Sequence, residues 1–427
     1  MAKVTRPRVV AKHHLADVDM PAQVTLALAE LARAAKEHLL SLSVASGLLV
    51  LRELLEAELT HLVGPKGKHR PERTAYRHGR EARFVTLGGR LVEVERPRAR
   101  GRDGKELLLP TYEAVADRDP LTEAALGRML AGLSTRHYRD ALEPVGDQLR
   151  TRGTGRSAVS RRFVQATAAK LAQLRARDLA PLRLLALFTD GIEIGGYTIV
   201  VALGVDEKGH KHTLGLWEGT TENAAVCKAL LGNLIERGLP TDRALLFVID
   251  GGKAIRRAIA DAYGDLAAVA RCRWHKRENV TDHLPEGLRP VIGRKLDEAW
   301  HKDDPDEAER SLRRLADSLE EAHPGAAASI REGLEETLTI ARLGLSPALI
   351  KTFKSTNPIE SLNDGIRAVE HNVKNWKSGK MALRWTAAAV LEREKRFRRI
   401  NGYRDMWLLE RALDRHTKEV TSSRTAA

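Results

Sequence analysis

Leu182-Arg-Leu-Leu-Ala-Leu-Phe-Thr-Asp190 and Ala244-Leu-Leu-Phe-Val-Ile-Asp250 are the two stretches on which the fold turns. Each is a short apolar run closed by an acid and a glycine, Gly191 or Gly251. Runs of this length bounded by turn residues predict buried strands ending on the acid. Between them, Tyr197 to Val205 and Thr213 to Trp217 predict two further strands joined by the turn Asp206-Glu-Lys-Gly, and Glu222 to Arg237 predicts an amphipathic helix. After Asp250, Lys253 to Tyr263 reads as helix and Leu266 to Ala270 as a short strand. Three strands, a helix, then strand-helix-strand is the order expected of an RNase H-like α/β core.

The flanking segments differ in texture. Pro285 to Gly344 is helical and charged, with no strand signal, and reads as an all-α insertion in the core. Ile359 to Arg398 predicts a helical stretch carrying Lys374, Lys377, Lys380 and Arg393. On the N-terminal side, Met1 to His14 is basic and reads as disordered, and leucines at helical spacing fill Pro21 to Val63. From Gly64 to Lys105 the chain is basic, and Phe84 to Glu95 alternates apolar and polar around Gly88-Gly89, a β-hairpin signal. Arg96, Arg98, Arg100 and Arg102 follow with Pro97 and glycines among them, which predicts an arm unable to pack its charge away. Thr122 to Leu174 returns to helix, broken at Arg152 to Gly155. Ser157 is a candidate N-cap, with Arg161 and Arg162 projecting from the helix after it. That pattern fits a helix-turn-helix reading a major groove, and fits equally an ordinary helical hairpin with solvated arginines. The expected organisation is multidomain α/β: a helical region over 1–63, a basic β-containing arm over 64–118, a helix-turn-helix segment over 119–178, core over 179–284, helical insertion over 285–350, and the rest of the core over 351–427.

Composition bounds the function. With 427 residues the chain is too long for one ordinary core. A formal charge of +14 suits a polyanionic partner, since counterion release from phosphates supplies affinity, although a merely solubilising surface has the same signature. Aromatic residues at 4% are too sparse for stacking platforms along single strands. The two cysteines, Cys227 and Cys272, cannot make a disulfide framework. No segment is apolar for long enough to span a membrane, and the expected location is the cytoplasm.

Asp190, Asp250 and Glu360 form the candidate catalytic and metal-binding set. Phosphodiester cleavage and strand transfer use paired divalent ions, and Mg²⁺ or Mn²⁺ takes hard carboxylate oxygens. Two strands ending in Asp and a helix pointing a third carboxylate inward would supply them. Each acid also has a plain structural reading: Asp-Gly is a turn dipeptide, and Asn357-Pro-Ile-Glu360 fits a capping box with Asn357 as N-cap.

Thr189-Asp-Gly, Val248-Ile-Asp-Gly-Gly-Lys-Ala, Arg271-Cys-Arg-Trp-His-Lys-Arg-Glu-Asn-Val and Ser355-Thr-Asn-Pro-Ile-Glu-Ser-Leu-Asn, in that order, resemble the Mutator-type transposases of bacterial insertion sequences. The resemblance extends over most of the chain, including Tyr76-Arg-His-Gly-Arg. It implies a DDE-class, RNase H-like core, recognition of terminal inverted repeats, metal-dependent cleavage of double-stranded DNA, and transfer of a 3′-hydroxyl to target DNA. It also implies a homodimer on DNA, and Cys272 and His275 as a family signature. The pair lacks the further ligands of a zinc site, so a structural or DNA-positioning role is expected. Trp274 between them is expected to pack in the core. Arg96, Arg98, Arg161, Arg162, Lys253, Lys374 and Lys377 are the candidate DNA contacts, with a solvated face as the alternative. Glu222 is a helix-start candidate that would ordinarily serve the dipole.

Overall fold

The computed structural model describes residues 39–68, 74–116, 120–142, 149–219 and 224–426. It divides into two compact units, 1–125 with 135–159, and 126–134 with 160–427. In chain order the first elements are α1 (Leu39–Val63), β1 (Ala75–Leu87), β2 (Arg90–Gly101), β3 (Glu106–Leu107), α2 (Pro110–Ala116), α3 (Pro120–Leu130), β4 (Thr151–Arg152) and α4 (Arg156–Arg175).

The expected hairpin is present. β1 and β2 pair antiparallel down to Leu87 and Arg90, and Gly88 and Gly89 turn the chain with φ of 57° and 80°. Two successive positive φ values are what a two-residue turn matching strand twist requires, and glycine adopts them without a Cβ penalty. Leu55 of α1 packs with Val85, Leu109 and Tyr112 against this sheet.

One expectation for this region is corrected. The arm does pack its charge: Arg96 is only 5% exposed and pairs with Glu81 and Glu106, while Arg98 reaches Glu106 at 2.6 Å. Alternation put these acids on the same sheet face as the arginines, so the cations are satisfied internally. The helix-turn-helix expected over 119–178 falls in part on residues 143–148, outside the described residues; the described chain between α3 and α4 contributes β4, which pairs with β2. Ser157 lies inside the first turn of α4, which already starts at Arg156.

The second unit continues with β5 (Leu184–Ile194), β6 (Tyr197–Asp206), β7 (Lys211–Gly219), α5 (Ala224–Glu236), β8 (Leu245–Ile249), α6 (Lys253–Tyr263), β9 (Ala267–Arg271) and α7 (Arg273–Thr281). Helices α8 (Arg289–Trp300), α9 (Pro305–Leu319), α10 (Pro324–Arg331), α11 (Leu334–Arg342), α12 (Pro347–Phe353), α13 (Asn357–Glu370), α14 (Gly379–Glu394) and α15 (Met406–Ala426) complete it. Glu222 lies outside the described residues. Helices α8 to α11 close a hydrophobic cluster of their own around Leu296, Leu312, Ile330 and Leu338.

The five strands are ordered β7-β6-β5-β8-β9. β5, β6 and β7 are antiparallel neighbours, and β8 and β9 run parallel to β5. Strand residues alternate between faces, and both faces here are covered. Leu184, Leu187, Leu245 and Phe247 join the cluster under α5 and α6. Ala186, Phe188, Leu246 and Val248 face the other way, with Ile359, Leu362 and Ile366 of α13 and with residues of α14 and α15. Burial on two faces explains why the quoted runs are continuously apolar instead of alternating. Each buried Leu or Phe contributes roughly 1.5–3 kcal/mol, and Phe188 also stacks on Phe353 with ring centroids 5.9 Å apart.

Candidate active site

Register decides where the two aspartates go. In β5, Ala186, Phe188 and Ile192 share the face covered by α13, and Asp190 occupies the position between the last two. In β8, Leu246 and Val248 share that face, and Asp250 follows at the next same-parity position, just past the strand. One face therefore receives both acids from adjacent strands. β5 does not end on Asp190 as its sequence suggested. Its parallel pairing with β8 stops at Phe188, but antiparallel pairing with β6 carries the strand on to Ile194.

The third acid arrives on α13. Glu360 and Asn363 lie one turn apart on the same helix face, and Asn363 donates from Nδ2 to Asp190 Oδ2 at 2.7 Å. Asn363 is 1% exposed. It went unassigned from sequence although it stands three residues after Glu360. The expected capping box is corrected as well: the N-cap is Thr356, not Asn357, and its hydroxyl donates to Glu360 Oε1 instead of capping the helix.

The electrostatics agree with convergence. Burial pushes the Asp190 carboxyl up to about 6, the charge of Asp250 pushes in the same direction, and the Gly191 amide, His275 and Asn363 oppose it. Asp250 Oδ1 accepts the Gly252 amide at 2.8 Å, which fixes its turn. Among the described residues, no lysine or arginine forms an ion pair with Asp190, Asp250 or Glu360.

Cys272 and His275 stand beside this set. Cys272 is fully buried and caps α7, its amide bonded to Ile249 O at 2.8 Å. Burial alone would raise the Cys272 thiol, but hydrogen bonds with His275 and Thr356 hold it below its ordinary value. His275 rises to about 9, through its bond to Cys272 against the cost of burial, and through the charges of Cys272, Glu360 and Asp250. Its Nε2 lies 3.9 Å from Glu360 Oε1, and its Nδ1 lies 3.3 Å from Thr356 Oγ1. Donor atoms of Cys272, His275 and Glu360 all fall within 4.8 Å of one another.

Residues 22–399 match the family model described as Transposase, Mutator family. The chain belongs to that family of transposases. The transposase for insertion sequence element ISRM5 of Rhizobium meliloti (strain 1021) is 28% identical over 364 residues, 84% of this chain and 89% of that protein. The one for IS905 of Lactococcus lactis subsp. lactis (strain IL1403) is 29% identical over 329 residues, covering 74% and 80%. The one for IS1081 of Mycobacterium tuberculosis is 25% identical over 370 residues, covering 84% and 86%. DNA is accordingly a partner of this transposase. Among its described residues, no helix is long and apolar enough to cross a membrane.

The transposase distributes the candidate DNA contacts unevenly. Arg161 is exposed on α4 and Lys253 is exposed at the start of α6, while Arg162 is half-buried. Lys374 and Lys377 are exposed but not helical, because Ile359 to Arg398 is two helices interrupted between Glu370 and Gly379. Arg96 and Arg98 are engaged with Glu81 and Glu106. Trp274 is corrected outright: it is 57% exposed, not core.

Proposed function

We propose that this transposase is that of an insertion sequence, that it binds the terminal inverted repeats of its element, and that it cleaves and joins DNA with Asp190, Asp250 and Glu360. The observation that carries the reading is the charge of Asp250 acting on Asp190 while Asn363, one turn from Glu360 on α13, bonds Asp190; among the described residues no lysine or arginine pairs with these acids, and the cation beside them is His275. Like charges brought together away from water raise a pKa, as at Asp190, and an architecture that keeps them suits a cation. The donor set fits Mg²⁺ or Mn²⁺: all oxygen, all hard, from three elements. Bound there, the metal supplies an activated oxygen nucleophile and stabilises the leaving oxygen.

The chain's own residues prepare that site. Asn363 orients Asp190, Thr356 holds Glu360, and the Gly252 amide holds Asp250. In cleavage, a water oxygen attacks the scissile phosphorus and the P–O3′ bond breaks, leaving a 3′-hydroxyl and a 5′-phosphate. In joining, that 3′-hydroxyl attacks a target phosphodiester, whose own P–O3′ bond breaks and whose 3′-oxygen takes the proton. The strand order β7-β6-β5-β8-β9 supports an RNase H-like core of the DDE class, and the all-helical cluster between Asp250 and Glu360 supports an insertion within it. The formal charge of +14 supports binding of inverted-repeat and target duplexes. A homodimer holding two ends, acting on nucleoid DNA in the cytoplasm, completes the proposal.

The test is strand cleavage of a duplex carrying an element end, in Mg²⁺ or Mn²⁺. Asp190→Asn, Asp250→Asn and Glu360→Gln are each expected to abolish cleavage while binding the same duplex as tightly as wild type. Full cleavage by all three would remove the assignment.

A further inference from the structure

The face of α7 turned away from Glu360 borders a cavity of about 830 Å³ within the second unit. Ser355 and Asn357, on either side of Thr356, line it, as do Arg273 and Trp274 from between Cys272 and His275. The turn at 355–357 thus presents Thr356 to Glu360 and its neighbours to the cavity, as α7 presents His275 to Glu360 and Arg273 and Trp274 to the cavity. Trp274 is the informative residue. An indole left 57% exposed loses burial that it would gain in almost any core position. The guanidinium of Arg277, paired with Asp297 at 2.9 Å, lies over one face of its ring, 5.8 Å from the centroid. Lys351 and Lys354 also line the cavity, and neither forms an ion pair among the described residues. Arg273 and Ser355 each keep a buried polar atom, Nη2 and Oγ, without a hydrogen-bond partner. Both are more than nine-tenths buried.

A π-face, free cations and unspent hydrogen-bonding groups beside three phosphodiester-cleaving acids describe one kind of occupant. We propose that this cavity receives one nucleotide of the element end, unstacked from the duplex next to the cleavage position. Its base stacks on Trp274, and its backbone phosphate is held by Lys351 and Lys354. The proposal rests on the reading that the acids cleave DNA ends. It adds that cleavage proceeds on a locally opened duplex, which lets a buried site reach a phosphate otherwise shielded by base stacking. Unstacking costs a few kcal/mol, least where the base is already mismatched, and stacking on the indole returns part of it.

The test separates this proposal from the chemistry. Binding is measured in Ca²⁺, without cleavage, to end duplexes in which a single mismatch is walked through the positions flanking the cleavage site. At one position wild-type protein is expected to bind the mismatched duplex about tenfold more tightly than the paired one. Trp274→Ala should lose that preference, its binding of the mismatched duplex falling about tenfold more than its binding of the paired one, and Trp274→Phe should keep most of it; a stacked base contributes enough for a change of that size. In Mg²⁺, the same mismatch should restore cleavage to a slowed Trp274→Ala variant. A mismatch preference absent from wild type at every position, or undiminished in Trp274→Ala, overturns the proposal. Failure of the underlying reading has a different sign, namely no cleavage by wild-type protein whatever the mismatch binding shows.

Discussion

Asn363 donates its side-chain amide to Asp190 across 173 residues of sequence, at 2.7 Å. Through that bond the helix carrying Glu360 is fixed to the strand carrying the first acid. A hydrogen bond to a charged group contributes about 1.5–3 kcal/mol, so Asn363→Ala should lower both melting temperature and cleavage rate. Asn363→Asp should do worse despite its matching shape, because it sets another acid against a carboxyl already raised by burial and by Asp250. Melting and single-turnover cleavage at neutral pH check the order. If the Asp variant is the more stable and more active of the two, the bond does not have this role.

Thr356 offers a cleaner separation of stability from activity. Its hydroxyl bonds Glu360 and lies 3.3 Å from His275, and makes no cap bond to α13. Thr356→Val keeps the shape and loses the hydroxyl. Cleavage should fall by up to about 100-fold through misplacement of Glu360, with helix content unchanged by circular dichroism. Thr356→Ser should recover most of the rate. Equal activity of the Val and Ser variants would show that Glu360 is held by something else.

Divalent ions should stabilise the folded protein through the acids. In chelator, Asp190→Asn should melt above wild type, because it removes a buried charge facing Asp250. Saturating Mn²⁺ should reverse the order. A ligand at 100 times its dissociation constant contributes about 2.7 kcal/mol to the form that binds it, and the Asn variant has lost a ligand. An equal Mn²⁺ shift in both proteins would place the ion elsewhere.

Acid should loosen the first unit's sheet. The bonds from Arg98, then the charges of Arg96 and Arg98, hold the Glu106 carboxyl down at about 2 from an ordinary 4.5. A depressed folded-state pKa means the unfolded chain takes up the proton first. The pairing therefore contributes fully above about 4.5 and is lost as pH falls toward 2. Hydrogen exchange across β1 and β2 should show Glu106→Gln less protected than wild type at pH 7, with the gap closing over that window. A gap of constant size would assign the protection to packing alone.

What could be read beforehand follows from period and parity. The apolar runs before Asp190 and Asp250 announced buried strands, and same-parity positions carry both acids to one face. The Gly88-Gly89 turn needed nothing beyond its own two residues. Asn363 was legible at helical spacing from Glu360, but its partner lies in a strand that no local window contains. Asn357-Pro looked like a better cap than Thr356 because local rules do not know that Glu360 takes the threonine hydroxyl. Arg96 looked exposed because its acids, Glu81 and Glu106, approach only after three strands pair. Trp274 was misjudged for the opposite reason. Indoles usually find cover, and the exception here is an exposed indole lining a cavity beside the acids.

The packing of α13 on β5 has a consequence for the order in which the protein is made. Ile359, Leu362 and Ile366 cover the sheet face that Phe188 and Val248 present, and the same helix delivers Glu360. A nascent chain that has emerged only through the strands holds two acids over an uncovered apolar face. Glu360 arrives with the residues that seal that face, so under the proposed mechanism completion of the fold and competence to cut come together. A truncated copy ending before residue 356 would lack both Glu360 and the apolar cover of that face, and would present a sticky surface to the cell's quality control.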